Sequence, residues 1–138
     1  MIMIFIISVG GSIIRNITIK TVDEKDWEFV QGLQNLGVNR KVACVITFLK
    51  DQSEKSTREI ETATRLRQPE VSVAMRTLRE RGWLTEHEIR NDGKGRPLKI
   101  YALRSTIDEI MNYYETEKTE EFAQTMKTIK RLKELSSA

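Results

Sequence analysis

The side chains best equipped for recognition chemistry lie in one short stretch, at Arg67, Gln68, Glu70, Ser72, Val73 and Arg76. Arginine can fork onto guanine, glutamine can pair with adenine, and a carboxylate can accept from the amino group of cytosine. Serine suits bases or phosphates, and an apolar group such as valine can meet a thymine methyl. This is binding chemistry, and it works only if one element presents those side chains on one exposed face. Val71, Ala74, Met75 and Leu78 recur at helical spacing, which predicts a helix that buries this stripe. The helix should open at Gln68-Pro69, because a first helical turn needs no partner for proline's missing N–H. It should end at Gly82, a suitable residue for the left-handed position after a helix. Gln68, Ser72, Val73, Arg76 and, more laterally, Arg79 then occupy the opposite face. Glu70 has two available roles, acceptor for cytosine or complement to the helix dipole, and the dipole role is favoured.

The flanking residues predict the elements that would position this helix. Ser56 and Glu59 form a Ser-x-x-Glu capping pattern, so an earlier helix should begin at Thr57 with Ile60, Ala63 and Leu66 facing a core. Thr64 to Arg67 would be the turn between the two helices. After Gly82, Trp83 and Leu84 read as an anchor for a hairpin. Its strands are expected over Thr85 to Arg90 and Leu98 to Leu103, with Asp92-Gly93 and Gly95 at the tip. Lys94 and Arg96 sit at that tip, where basic groups can reach phosphates or the minor groove. A charged tip can serve solubility alone, but beside this helix pair the nucleic-acid role is the stronger reading.

The stretch RLRQPEVSVAMRTLRERGWL resembles the recognition-helix region of winged helix-turn-helix regulators of the MarR, ArsR and TrmB kinds, particularly archaeal ones. GKGRPLKIYAL resembles the Gly-Arg-Pro-x-x-x-Tyr wing of TrmB-like and PadR-like regulators. The resemblance covers residues 39–103, with a weaker likeness in the C-terminal helix. It implies a mainly α winged helix-turn-helix fold with a small β-hairpin wing and a C-terminal dimerisation helix. It also implies a sequence-specific double-stranded DNA-binding transcription regulator, and no cofactor is expected. In such families a Ser or Thr precedes the Gln-Pro pair. Here Arg67 stands in its place, which predicts a weaker cap and a phosphate contact.

Charge and composition agree with this reading. The net charge of +3 is unevenly distributed over the 138 residues. Residues 56–104 hold eleven Lys/Arg against seven Asp/Glu, whereas residues 105–138 hold five against seven. The excess is small, so specific affinity would need a dimer or a good base fit. The single Cys44 excludes an internal disulfide and any multi-cysteine zinc site, and it reads as an inert buried thiol. His87, the only histidine, has no neighbouring ligand set, so no metal is expected. A phosphate-cradling glycine loop is missing, because the Gly93-Lys94-Gly95 tip precedes a strand, and no Ser-His-Asp or Cys-His set can be assembled. An enzyme is therefore not expected.

The remaining segments bear on assembly. Residues 1–22 are isoleucine-rich, with Gly10-Gly11 able to turn a hairpin. They read as a strand pair, a strand sealing an interface, or a poorly ordered extension from an early start codon. The apolar run is too short to cross a bilayer and has no basic leader, so a cytoplasmic location is expected. Asp23 to Gly37 predicts a helix with Trp27, Val30, Leu33 and Leu36 inward. Asn39 to Lys50 predicts a core helix through Val42, Val45, Ile46 and Leu49. Residues 23–104 thus form the reader. Residues 105–138 form a helical segment opening on Ser105 and Asp108, either one helix or two meeting near Thr119. Its stripe of Ile107, Ile110, Met111, Tyr114, Phe122, Met126, Ile129 and Leu132 is most simply covered by a second subunit, which makes a homodimer the expected state. A small-molecule effector between dimer helices would fit, although no residue marks one. The competing functions are a winged-helix protein-interaction module and a nonspecific DNA-binding protein.

Overall fold

Three short polar side chains start the first three helices. Asp23 accepts the Asp26 N–H at 2.8 Å and caps α1 (Glu24–Asn35). Asn39 accepts the Lys41 N–H at 2.8 Å and caps α2 (Arg40–Leu49). Ser56 accepts the Glu59 N–H at 3.2 Å while Glu59 returns the bond from the Ser56 N–H at 2.8 Å, and this reciprocal box opens α3 (Thr57–Thr64). α4 follows as Gln68–Glu80 and α5 as Ile107–Ser136. The strands are β1 (Ser8–Val9), β2 (Ser12–Ile13), β3 (Lys55–Ser56), β4 (Leu84–Ile89) and β5 (Leu98–Leu103). This computed structural model describes residues 8–9, 12–13, 23–90 and 95–137. It divides into two units, Met1–Ser105 and Thr106–Ala138.

In the first unit α2 is the central element, lying against α1, α3, α4 and β5. Its sequence explains that position, because Val42, Ala43, Val45, Ile46 and Leu49 are all buried. Thr47, the one buried polar residue among the described residues, donates its hydroxyl to the Ala43 carbonyl at 2.7 Å and so leaves no orphan group. Around α2 pack Val30 and Leu33 of α1, Ile60 of α3, and Val71, Ala74, Met75 and Leu78 of α4. The apolar stripes expected for α2 and α4 are thus the buried ones. Trp27 departs from expectation: it is 40% exposed, with the Arg40 guanidinium 5.0 Å from its ring centre. It lies at the edge of the α1 stripe, where a large ring can keep one face in solvent and stack with a cation.

The wing is a three-stranded antiparallel sheet of order β3-β5-β4, not the two-stranded hairpin expected from sequence. β4 and β5 run in register from Leu84 opposite Leu103 to Ile89 opposite Leu98. Lys55 and Ser56 of β3 pair with Tyr101 and Ile100. A two-residue strand has no periodicity to detect, so β3 left no sequence signal. β1 and β2 pair antiparallel, Ser8 with Ile13 and Val9 with Ser12.

The join between α4 and the wing is set at Gly82. Its φ of +74° is left-handed. Around it the Gly82 N–H donates to the Arg79 carbonyl and the Trp83 N–H to the Leu78 carbonyl, both at 3.0 Å. This is the double closure of a Schellman motif. The Arg104 N–H then donates to the Trp83 carbonyl at 2.7 Å, tying the end of the wing to its beginning.

In the second unit α5 is a single helix, so the polar stretch around Thr119 does not break it. Its cap is Thr106 with Glu109, one residue later than expected: the Glu109 N–H donates to Thr106 Oγ1 at 3.1 Å, and Glu109 accepts the Thr106 N–H at 2.8 Å. Both Ser105 with Asp108 and Thr106 with Glu109 fit the spacing, but glutamate has the extra methylene that reaches back to the cap.

Two substitutions test this account. Gly82→Ala should lose about 1–2 kcal/mol, all of it conformational. No heavy atom lies within 4 Å of the added Cβ, so no clash contributes. Urea denaturation with an unchanged m-value would read that loss, and an unaltered midpoint would refute the left-handed stop. Ile46→Ala should cost about 2–5 kcal/mol as a core cavity, measured in the same way.

Candidate nucleic-acid interface

α3 and α4 meet through a three-residue turn, Arg65 to Arg67. Arg65 has φ +60° and ψ +25°, an uncommon conformation for a residue with a Cβ, and its N–H still donates to the Glu61 carbonyl at 2.8 Å. Thr64 stitches the same end: its hydroxyl donates to the Ile60 carbonyl at 2.6 Å and accepts the Leu66 N–H at 3.3 Å. Nothing in an arginine signals positive φ, so this turn conformation was not readable from the chain.

The expected recognition residues fall on α4 as follows. Val71, Ala74, Met75 and Leu78 are buried, while Gln68, Ser72, Val73 and Arg76 are exposed. Positions 68, 72 and 76 are successive four-residue steps and share one face. Gln68 Nε2 donates to Ser72 Oγ at 3.0 Å, which holds these two polar groups side by side on that face. Val73 is 50% exposed, a single apolar group among them. Arg67 is exposed at the N-cap.

Glu70 is engaged locally. It accepts the Arg67 backbone N–H at 2.9 Å and faces Lys41 Nζ at 3.5 Å. The N–H bond from Arg67, followed by the Lys41 and Arg67 charges, holds its carboxyl below the ordinary glutamate range. Arginine has no side-chain acceptor, so only this half of a capping box exists at Arg67. Arg79 is also occupied. Its Nε and Nη2 donate to the two Glu86 oxygens at 2.5 and 3.0 Å, a forked bond from α4 to wing strand β4. Hydrogen bonding to Arg79 holds Glu86 low, and the same bond raises Arg79.

On the wing, Arg96 is exposed just after Gly95, whose φ is +88°. Lys94, Asp92 and Gly93 lie outside the described residues. His87 Nε2 lies 3.5 Å from Glu54 Oε2. Cys44 is half-buried, and that burial pushes its thiol upward against the opposing effect of Arg40. Among the described residues no group of three or more His, Cys, Asp or Glu is placed to hold a metal ion. No described helix is long and apolar enough to cross a membrane.

No protein-family model matches this sequence. No curated protein matches it either. Among solved structures it is similar to a possible transcriptional regulator from Methanosarcina mazei Go1, with a TM-score of 0.54 and 19% identity over 73% of this chain and 86% of that one. It also aligns with Bordetella bronchiseptica BpsR, whose DNA binding is regulated by 6-hydroxynicotinic acid, at a TM-score of 0.46 and 17% identity over 81% of this chain and 93% of that one. A third alignment is to S. aureus MepR in its DNA-binding conformation, at a TM-score of 0.41 and 20% identity over 83% and 90% of the two chains. The Methanosarcina structure establishes the fold and nothing finer, and no argument rests on the two weaker superpositions. The fold is a winged helix-turn-helix, mainly α, with a small antiparallel wing sheet and a long C-terminal helix.

Two measurements test the local geometry. Glu70 is held ionised in the fold, so its contribution is complete at neutral pH and is lost as pH falls through its lowered value. A carboxyl NMR titration should give Glu70 a midpoint below roughly 4.3; a midpoint at or above that would mean the cap at Arg67 is not formed. Arg79→Ala should lower global stability by less than about 1 kcal/mol, because the pair is solvent-exposed. Amide exchange in β4 should nevertheless accelerate; unchanged exchange would show that the fork does not steady the wing.

Proposed function

We infer that this chain is a sequence-specific double-stranded DNA-binding transcription regulator that acts as a dimer, of the archaeal MarR, ArsR or TrmB kind. α4 enters the major groove, and the wing, through Lys94 and Arg96, holds the backbone or minor groove. The observation that carries this reading is the outward face of α4, where Gln68, Ser72, Val73 and Arg76 stand exposed over a fully buried apolar stripe. Those four side chains span the donors, acceptors and apolar contact that base edges require. Arg67 and Arg65 beside them are exposed cations suited to phosphate. Glu70 supports the start of the helix rather than reading a base, since its oxygens already serve Arg67 and Lys41. The fold neighbour's description as a possible transcriptional regulator points the same way.

In this reading residues 23–104 are the reader, residues 105–138 the dimerisation segment, and residues 1–22 a separate isoleucine-rich N-terminal segment. The protein works in the cytoplasm, and an effector acts by changing the spacing of the two reading helices.

Fluorescence anisotropy with the chain's own upstream duplex and a random duplex, titrated across salt, tests the function. Tighter binding upstream, with a steep salt dependence on both, is expected. Equal binding would leave a nonspecific DNA-binding protein, and no binding at low salt would leave a protein-interaction module. Arg76→Ala should cost about 1–3 kcal/mol of discrimination between the two duplexes. Equal losses on both would reassign Arg76 to phosphate. Lys94→Ala with Arg96→Ala should lower the salt slope by up to about two units, and an unchanged slope would remove the wing from the interface.

A further inference from the structure

The distal half of α5 presents an apolar face that nothing in its own unit covers. Every residue from Thr119 to Ser137 is exposed. Within that stretch Phe122, Met126, Ile129 and Leu132 recur at three- and four-residue intervals, which sets them along one side of the helix. Phe122 is 67% exposed and Leu132 58%. A helix of this kind has little to hold it in water, because isolated helices of about 12–15 residues are marginal even with favourable sequences. The stripe therefore calls for an occupant, and the charges of α5 specify which one.

Charge along α5 is sharply divided. Residues 107–124 carry Asp108, Glu109, Glu115, Glu117, Glu120 and Glu121 against Lys118 alone. Residues 125–138 carry Lys127, Lys130, Arg131 and Lys133 against Glu134 alone. We propose that the occupant is α5 of a second copy of this chain, running antiparallel, so that the acidic half of each helix lies along the basic end of the other. The proposal rests on the reading of α5 as the dimer element and adds the direction in which the helices pair. A parallel pair would set acid against acid and base against base over the whole length. An antiparallel pair converts both repulsions into attraction and also opposes the two helix dipoles favourably.

An overlap centred on Gln124 matches the charges and pairs the centre of the stripe, with Ile129 and Leu132 level with Thr119 and Thr116 of the partner subunit. It brings Phe122 to the level of Met126 of the partner subunit, and by symmetry each Met126 to the other Phe122. The same alignment sets Glu115 across from the partner subunit's Lys133. Both positions lie on the side of the helix that carries Phe122 and Ile129, so the charged pair closes each end of the apolar contact.

Double electron–electron resonance on the full chain tests the direction. Cys44→Ser removes the native thiol, and nitroxide labels are placed in separate samples at the exposed positions of Thr116→Cys and Ser136→Cys, with light scattering as the measure of mass. At a rise of 1.5 Å per residue, an antiparallel pair centred on Gln124 predicts label separations of about 25 Å at position 116 and about 35–40 Å at position 136. Those two distances in a dimer would establish the arrangement. Short distances at both positions, under about 20 Å, would mean a parallel pair and overturn the proposal while leaving the dimer intact. A dimer by mass with neither pattern would exclude the pairing centred on Gln124 and overturn it equally. A monomeric mass with no dipolar signal would overturn both the pairing and the dimeric reading of the protein.

Discussion

The backbone reversal around Gly82 fixes how the wing leaves α4. One residue in a left-handed conformation lets the Leu78 and Arg79 carbonyls, which would otherwise be orphaned, receive the Trp83 and Gly82 N–H groups. The chain leaves α4 in a fixed direction as a result, and Trp83 is buried immediately beyond it. Because Arg104 then bonds back to the Trp83 carbonyl, both ends of the wing depend on the same point. The Arg79–Glu86 fork adds a second, solvent-exposed link between the same two elements. Of the two, the backbone closure is the stronger constraint, since exposed ion pairs contribute little in water.

Electrostatics at the start of α4 shows how a charged residue can serve the fold and leave the outer face free. The helix N-terminus favours an anion, and Glu70 supplies one within the first turn. Its carboxylate is satisfied by Arg67 and Lys41, so the negative charge that would repel a phosphate is largely neutralised on the spot. What faces outward in the first two turns is then cationic or neutral, Arg67, Gln68, Ser72 and Arg76, and a carboxylate returns to that row only at its far end, with the exposed Glu80.

Where the sequence carried a strong local rule, the element could be read from it. The Ser56 box, the Gly82 stop and the buried stripes of α2 and α4 each follow from residue chemistry that few alternatives can mimic. The unread features lack such a rule. β3 is too short for a period, the positive φ of Arg65 is imposed by its neighbours, and Trp27 sits at a stripe edge where spacing alone cannot separate core from surface. The cap of α5 was displaced by one residue because two overlapping patterns compete, and only the reach of the glutamate side chain decides between them. For the candidate interface, the set of outward residues on α4 was legible from periodicity. The engagement of Glu70 with Lys41 and of Arg79 with the wing was not, because both partners come from elements distant in sequence.

One property of α4 reaches beyond this molecule. Its inward residues, Val71, Ala74, Met75 and Leu78, do the packing, and the outward Gln68, Ser72, Val73 and Arg76 do none of it. Two independent messages are therefore written on a single helix, and one can be edited without corrupting the other. Surface exchanges away from caps and networks usually alter stability by no more than about 0.5 kcal/mol, so duplicated copies of such a gene could diverge in the chemistry of this outward face while inheriting an unchanged scaffold. The same separation makes α4 a natural place to install new surface chemistry by design.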